Sequence, residues 1–194
     1  RLLRAADEIH SIPPSRRTAE AWLRLGSIFY AADDYVEAYS ALDAARRMSP
    51  TINASAEASA LLFQSAFHSG KRSAANAECL SLRARSPHSW VAVGCAALVT
   101  GWDGASFSPR RLLAQLDSVP DPGSLRTLMI KQVRLLIAAA AARSGDRSFS
   151  AALLDEAPDD EADNDHKLLW AVALREHGRD TEASATLAEL AKSS

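Results

Sequence analysis

Acidic residues alternate from Asp155 to Asp165, and carboxylates at this density could bind a calcium ion. A calcium loop of the EF-hand type that began at Asp159 would need glycine at its sixth place and glutamate at its twelfth. The chain has Asn164 and Trp170 at those places. The stretch fits better as an acidic loop whose carboxylates stabilise the positive N-terminal end of the next helix. No metal site is predicted from it.

The histidines and cysteines also lack the spacing of a reactive site. No two histidines lie four positions apart on one predicted helix with a glutamate between them, and the sequence has neither a glycine-rich phosphate loop nor a G-x-S-x-G elbow. Cys79 and Cys95 do not form the framework of a disulfide-rich protein, so we expect reduced thiols, and the sequence nominates no base to activate them. These patterns predict a protein that is not an enzyme and that has no metal or other cofactor.

The charge pattern argues against a nucleic-acid partner. The chain has 194 residues and a formal net charge of −2, and its arginines are dispersed as pairs such as Arg16-Arg17 and Arg110-Arg111. Proteins that bind nucleic acids need a clustered basic surface. Aromatic residues make up 6% of the chain, which is few for a surface on which bases stack. We therefore expect a different class of partner.

No stretch of the sequence has the length of a membrane span. The most apolar run, 135–142, lies between Arg134 and Arg143 and falls short of the roughly 18 residues that a span needs. It predicts a helix buried between its neighbours, and no membrane insertion. The first residues carry no signal peptide, which together with reduced cysteines favours a cytoplasmic location; a secreted form after signal removal would have the same sequence. The abundant alanine and arginine, with only four lysines, are typical of GC-rich bacterial genomes.

Two helices are predicted most clearly between Trp22 and Pro50. The first covers about 19–32, where Trp22, Leu25, Gly26 and Phe29 have the i, i+3, i+4, i+7 spacing of one apolar face. Glycine costs about 1 kcal/mol against alanine inside a helix, so Gly26 indicates close approach by another helix.

The second helix begins near Tyr35, has Ala38, Leu42 and Ala45 on its inner face, and ends before Pro50. The very short turn between the two helices predicts that they lie antiparallel.

This helix pair resembles the tetratricopeptide repeat, a unit of about 34 residues with the pattern W-x2-L-G-x2-Y, then A-x3-F, then P. Phenylalanine takes the place of tyrosine, and leucine that of phenylalanine. The matching residues are Trp22, Leu25, Gly26, Phe29, Ala38, Leu42, Ala45 and Pro50. The resemblance implies an all-α solenoid of antiparallel helix pairs that forms a right-handed superhelix.

Weaker copies follow, phased by glycines that close predicted turns at Gly70, Gly101, Gly145 and Gly178. Residues 1–14 are interpreted as part of an N-terminal repeat, and the array of predicted repeats covers 19–192. The predicted helix pairs are 19–50, 56–87, 88–117, 124–158 and 164–192. SVPDPG at 118–123 is either a simple turn or a division between two blocks. An insertion at 102–108 is either a packed loop or a contact site.

In such arrays the first helix of each pair lines a concave groove, which in the family typically holds a peptide or a helix. The resemblance therefore implies a non-catalytic scaffold for protein–protein interaction with a largely apolar groove. An equally weighted alternative is that these residues pack on one another. The implied groove residues are Leu23, Ser27, Tyr30, Gln64, Phe67, Val91, Cys95, Leu98, Leu135, Ala139, Leu168, Val172 and Arg175.

The partner could be a separate protein or peptide, or a segment of the same polypeptide. Two other functions fit the same sequence. One is a regulatory or sensor domain of a larger enzyme or transcription regulator. The other is a self-associating assembly module, which would make the protein an oligomer.

Overall fold

A computed structural model describes Ile9 and residues 11–102, 107–119, 124–155 and 163–193. Within these residues the chain is all-helical and contains no strand. Residues 1–8 and 10 of the predicted partial N-terminal repeat, the middle of the 102–108 insertion and most of the acidic loop lie outside the described residues. The chain divides into two compact units, Arg1–Ser86 and Pro87–Ser194. The stretch 118–123, offered above as a turn or a division, falls within the second unit, and its last four residues lie outside the described part.

The described residues of the first unit form five α-helices after a short 3-10 turn at Pro14–Arg16. Their bounds are Ala19–Ala31 (α1), Tyr35–Met48 (α2), Pro50–Ala54 (α3), Ala56–His68 (α4) and Arg72–Arg85 (α5). The helices α1 and α2 pack together, as do α4 and α5, and α2 also packs against α4. The two helices predicted between Trp22 and Pro50 are confirmed. The short helix α3 was not predicted.

The described residues of the second unit form six helices. Their bounds are Trp90–Val99 (α6), Pro109–Asp117 (α7), Ser124–Arg143 (α8), Arg147–Leu154 (α9), Asn164–His177 (α10) and Asp180–Ser193 (α11). The long helix α8 contacts α6, α7, α9 and α10. Its run from Ile137 to Ala141 is buried on every side, which confirms the expectation for this apolar stretch.

Four helix pairs share one turn geometry. Asp33, Gly70, Gly145 and Gly178 have φ of 60, 73, 86 and 94°, the left-handed region that glycine adopts most easily. In each turn the next residue's N–H donates to the carbonyl five positions earlier at 2.9 Å, as Lys71 does to Ala66. This bond defines the Schellman motif, which satisfies carbonyls at a helix end and reverses the chain.

Gly101 also has a positive φ, of 91°, but it does not take part in that pattern. The helix before it ends at Val99, and the next residue, Thr100, has an extended backbone conformation. The Trp102 N–H donates to Val99 O at 3.0 Å. The residues inserted after Gly101 lengthen this link, so it is not the same tight turn. The prediction of four equal glycine turns is therefore wrong at Gly101. The fourth turn of this geometry lies between α1 and α2, where Asp33 has the positive φ.

The close approach predicted at Gly26 is confirmed. A Cβ atom on Gly26 would lie 2.5 Å from Leu42 Cγ and 3.2 Å from the Leu42 backbone nitrogen. Contacts under about 3 Å do not occur for real Cβ atoms, so α1 and α2 could not pack this closely around alanine. Leu25 and Leu42 are both fully buried beside it.

The expectation of reduced thiols is wrong. Neither Cys79 nor Cys95 is a free cysteine, and both are buried. A pattern of two cysteines separated by 15 residues gave no sign of this, because two cysteines do not make a recognisable framework. The prediction of a cytoplasmic location rested partly on those thiols and takes no support from them.

Candidate functional site

The five predicted groove residues of the first unit lie on α1 and α4. Ser27 is exposed, and Leu23, Tyr30, Gln64 and Phe67 are half-buried. The structure places four of them in two groups, and Gln64 belongs to neither. Leu23 and Ser27 lie at a cavity, whereas Tyr30 and Phe67 belong to an aromatic cluster.

The cavity has a volume of about 180 Å³ and lies among α1, α3 and α4. Leu23 and Ser27 contribute one wall from α1. The remaining lining residues come from α3, from the N-terminal turns of α4 and from the residue between these two helices. They are Thr51, Ile52, Ser55, Glu57, Ala58 and Leu61.

Local capping signals place these three helices. Thr18 Oγ1 accepts from Ala21 N–H at 3.2 Å at the start of α1, and Ser49 Oγ and Ser55 Oγ each accept at 3.3 Å at the starts of α3 and α4. Pro50 occupies the first turn of α3, where its missing N–H costs nothing. The chain can therefore end α2, turn once as α3 and begin α4 within a few residues.

Packing and hydrogen bonds fix α3 in place. Ile52 is 8% exposed and packs in a cluster with Ala19, Ala45 and Ala58, against which Trp22 and Leu23 also pack. Arg85 on α5 donates to the carbonyl of Asn53 and, at 3.0 Å, to Ser59 Oγ on α4. Apolar contacts of Ile52 and hydrogen bonds from the Arg85 guanidinium therefore hold α3 in its position at the cavity.

The chemistry of the lining is apolar with a polar rim. Leu23, Ile52, Ala58 and Leu61 present hydrocarbon. The Ser27 hydroxyl donates to Leu23 O at 3.0 Å, and the Ser55 hydroxyl caps α4. Such a site can hold an apolar group by contact and exclusion of water.

An aromatic cluster occupies the other end of α1 and α4. The Tyr35 and His68 rings stack with centroids 4.6 Å apart, Tyr30 meets Tyr35 edge-on at 5.6 Å, and Phe67 meets His68 edge-on at 5.4 Å. The Tyr35 hydroxyl donates to Asp33 Oδ1 at 2.6 Å. These rings join the α1–α2 turn to the end of α4, so their first role is structural.

The electrostatics of the cluster favour uncharged rings. The hydrogen bond to Asp33 raises the pKa of Tyr35, and burial raises the pKa of Tyr30. Burial lowers the pKa of His68, although the Asp33 carboxylate acts in the opposite direction. At neutral pH all three rings are therefore uncharged.

The predicted groove residues of the second unit differ in accessibility. Leu168, Val172 and Arg175 are exposed along one face of α10, at 48% for Leu168 and 43% for Val172. Val91 and Leu98 on α6 are half-buried. Cys95, Leu135 and Ala139 are buried, with 2%, 7% and 3% of their surface exposed. A charged residue at 135 would therefore test folding before it tested binding.

Sequence reasoning missed the residues that α3 brings to the cavity, chiefly Thr51 and Ile52. The signal was present, since Ser49 followed by Pro50 is a typical helix start. It was interpreted as the stop of α2 alone. Leu61 was missed because the residues predicted to line the groove from α4 were Gln64 and Phe67.

No group of three metal-ligating side chains occurs within the described residues. Over the same part of the chain, no helix has the length and apolar character to cross a membrane. The acidic residue Asp163 caps α10, where its Oδ1 accepts from His166 N–H at 2.7 Å, as expected for an acidic loop before a helix. Comparison with family models, curated proteins and solved structures finds no match to this chain.

Proposed function

We propose that this protein is a non-catalytic interaction module, and that a peptide or helix of its partner lies on the face of the first unit formed by α1, α3 and α4. The observation that carries the proposal is the cavity of about 180 Å³ beside Leu23 and Ser27. An open apolar recess on a helical unit gives a partner's side chain a place to be buried.

The proposed architecture is a tetratricopeptide-like solenoid. Two features support it: the same Schellman turn closes four helix pairs, and the helices of each unit pack against neighbours that follow in the chain. In such an arrangement α1 and α4 are the first helices of consecutive pairs, and first helices line the groove of that architecture.

The test is to fill the cavity without disturbing the fold. Ser27→Phe places a ring at the cavity mouth from an exposed position. Ser40→Phe is the matched control, because Ser40 is exposed on α2 and does not line the cavity. Circular dichroism and urea unfolding establish that both variants fold like the unmodified chain.

Binding of the three proteins is measured on an array of synthetic twelve-residue peptides, in which the amino acid at each position is varied in turn. We expect the unmodified chain and Ser40→Phe to bind a common subset of peptides, and Ser27→Phe to lose most of that binding. Equal binding by Ser27→Phe and the control would place the partner elsewhere and contradict the proposal.

A further inference from the structure

The size of the cavity limits what it can hold. Pockets for drug-sized ligands and cofactors are about 300–1,000 Å³, and an engineered apolar cavity of about 150 Å³ holds a benzene molecule. The cavity in the first unit is about 180 Å³. It is therefore large enough for one branched or aromatic side chain and too small for a cofactor.

The walls select the kind of side chain. The Ser27 hydroxyl donates its hydrogen to Leu23 O, and the Ser55 oxygen accepts from Ala58 N–H, so each has part of its hydrogen-bonding capacity satisfied without a guest. A polar group buried without a partner costs more than it contributes. The hydrocarbon of Leu23, Ile52 and Leu61 favours an aliphatic or aromatic guest.

The rim carries a negative charge. Glu57 lines the cavity and is exposed, and within the described residues no arginine or lysine forms an ion pair with it. Glu20, which precedes Leu23 by one turn on α1, adds a second exposed carboxylate without an ion pair in the described part of the chain. A partner would thus meet two carboxylates that form no ion pair in the described part of the chain, next to an apolar recess; the nearest exposed cation on α1 is Arg24, one turn after Glu20.

We infer that the partner segment is a peptide that buries one aliphatic or aromatic side chain in this cavity and places a lysine or arginine against Glu57. This inference rests on the proposed function and adds the chemistry of the partner. The apolar residue supplies most of the affinity, because it is removed from water. The basic residue supplies selectivity, because an exposed ion pair adds little free energy but a like charge at the same place is repelled.

The experiment uses two sets of peptides on the same array and the full chain. In the first set a central leucine is replaced by methionine, phenylalanine or alanine. In the second set the leucine is kept, and lysine, glutamine or glutamate is placed at each of the two positions on either side. The proteins are the unmodified chain, Ser27→Phe, Glu57→Lys and Glu57→Gln.

The expected result has two parts. Alanine in place of leucine weakens binding roughly tenfold. At one flanking position lysine binds about two- to fivefold more tightly than glutamate, Glu57→Gln removes this preference, and Glu57→Lys reverses it. The preference also declines with added salt, because exposed charges are screened.

Each other outcome overturns a defined part of the account. If Ser27→Phe abolishes binding but no variant at Glu57 changes the charge preference, the inference fails and the proposed function stands. If Ser27→Phe binds as well as the unmodified chain, both fail, because the cavity is not the site. If no peptide of either set binds the unmodified chain, both fail as well.

Discussion

Two helices of this protein carry the same short pattern and use it differently. Trp22, Leu25 and Gly26 on α1 correspond to Trp90, Val93 and Gly94 on α6. A Cβ on Gly26 would overlap Leu42 in the next helix, whereas a Cβ on Gly94 would lie 3.4 Å from Val133 Cγ2, an ordinary contact. The glycine faces a neighbour in both units, but only α1 requires the missing side chain.

The neighbour also differs. Gly26 faces the helix that follows directly in the chain, and Gly94 faces α8, beyond the insertion and α7. A local pattern therefore indicates that a helix has a close side. The partner and its distance depend on loop length and on the side chains of a helix farther along.

The placement of charge separates the two units as well. In the first unit Arg46 bridges Asp43 at 2.7 Å and Glu78 at 2.5 Å, and both carboxylates are buried. Burial alone would lower the pKa of Arg46, but the Glu78 and Asp43 carboxylates have the larger combined effect, so the pKa of Arg46 is raised. In the second unit Arg110 pairs with Asp146 at 2.8 Å on the surface.

The largest effect is expected from breaking the buried pair. Glu78→Ala leaves Arg46 without one carboxylate and empties a buried position, and we expect a loss of about 3 kcal/mol in the free energy of unfolding. Arg110→Ala in the second unit removes an exposed pair and should change stability much less. Urea unfolding followed by circular dichroism measures both. Equal losses would contradict the contrast between buried and exposed pairs.

The same substitution to alanine should affect stability differently at the two glycines. Gly26→Ala forces Leu42 away and is expected to cost about 2 kcal/mol. Gly94→Ala meets an ordinary contact and gains helix propensity, so stability should stay the same or rise by up to about 1 kcal/mol. Urea midpoints of the two variants give the comparison directly. A loss at Gly94 as large as that at Gly26 would show that α6 and α8 are packed as tightly as α1 and α2.

Two of the Schellman turns have different residue types at the position with positive φ, and these residues can be exchanged by substitution. Asp33 and Gly145 occupy the same place in two Schellman turns, and each is followed by an aspartate that caps the next helix. Gly145→Asp is expected to cost about 1 kcal/mol, because a left-handed backbone is strained for residues with a Cβ. Asp33→Gly relieves that strain and loses the hydrogen bond from Tyr35, so its gain should be smaller. Thermal unfolding of the two variants tests the sign of each change.

The smallest effect is a difference in pH dependence. Burial lowers the pKa of His68, so its contribution is complete above the ordinary value of about 6.5 and is lost as pH falls below it. The hydrogen bond from Arg110 lowers the pKa of Asp146, so that contribution is lost only below about 3.9. Unfolding at pH 7.5 and 5.5 should show a small loss that His68→Gln abolishes and Asp146→Asn does not. A loss unchanged by His68→Gln would contradict this assignment.

The helices were largely predictable, because caps, glycine stops and apolar periodicity are local signals. Thr18, Asp34 and Asp163 all cap helices through their side chains, as their types suggest. The cavity was not predictable, because it depends on α3 inserting Ile52 between α1 and α4. The apolar run at 135–142 did predict a buried helix, and the burial of Leu135 and Ala139 agrees with it. The identity of the helices that meet α8 could not be predicted, because no spacing within one helix reveals it.

The central claim is that the cavity face of the first unit binds the partner. Its most direct test is a titration of the nitrogen-15-labelled full chain with the leucine–lysine peptide that binds best on the array, followed by amide resonances. The account predicts shifts at Ser27, Ile52 and Leu61, with Leu168 and Val172 unchanged. Shifts confined to Leu168 and Val172 on α10, with the cavity residues unmoved, would contradict it.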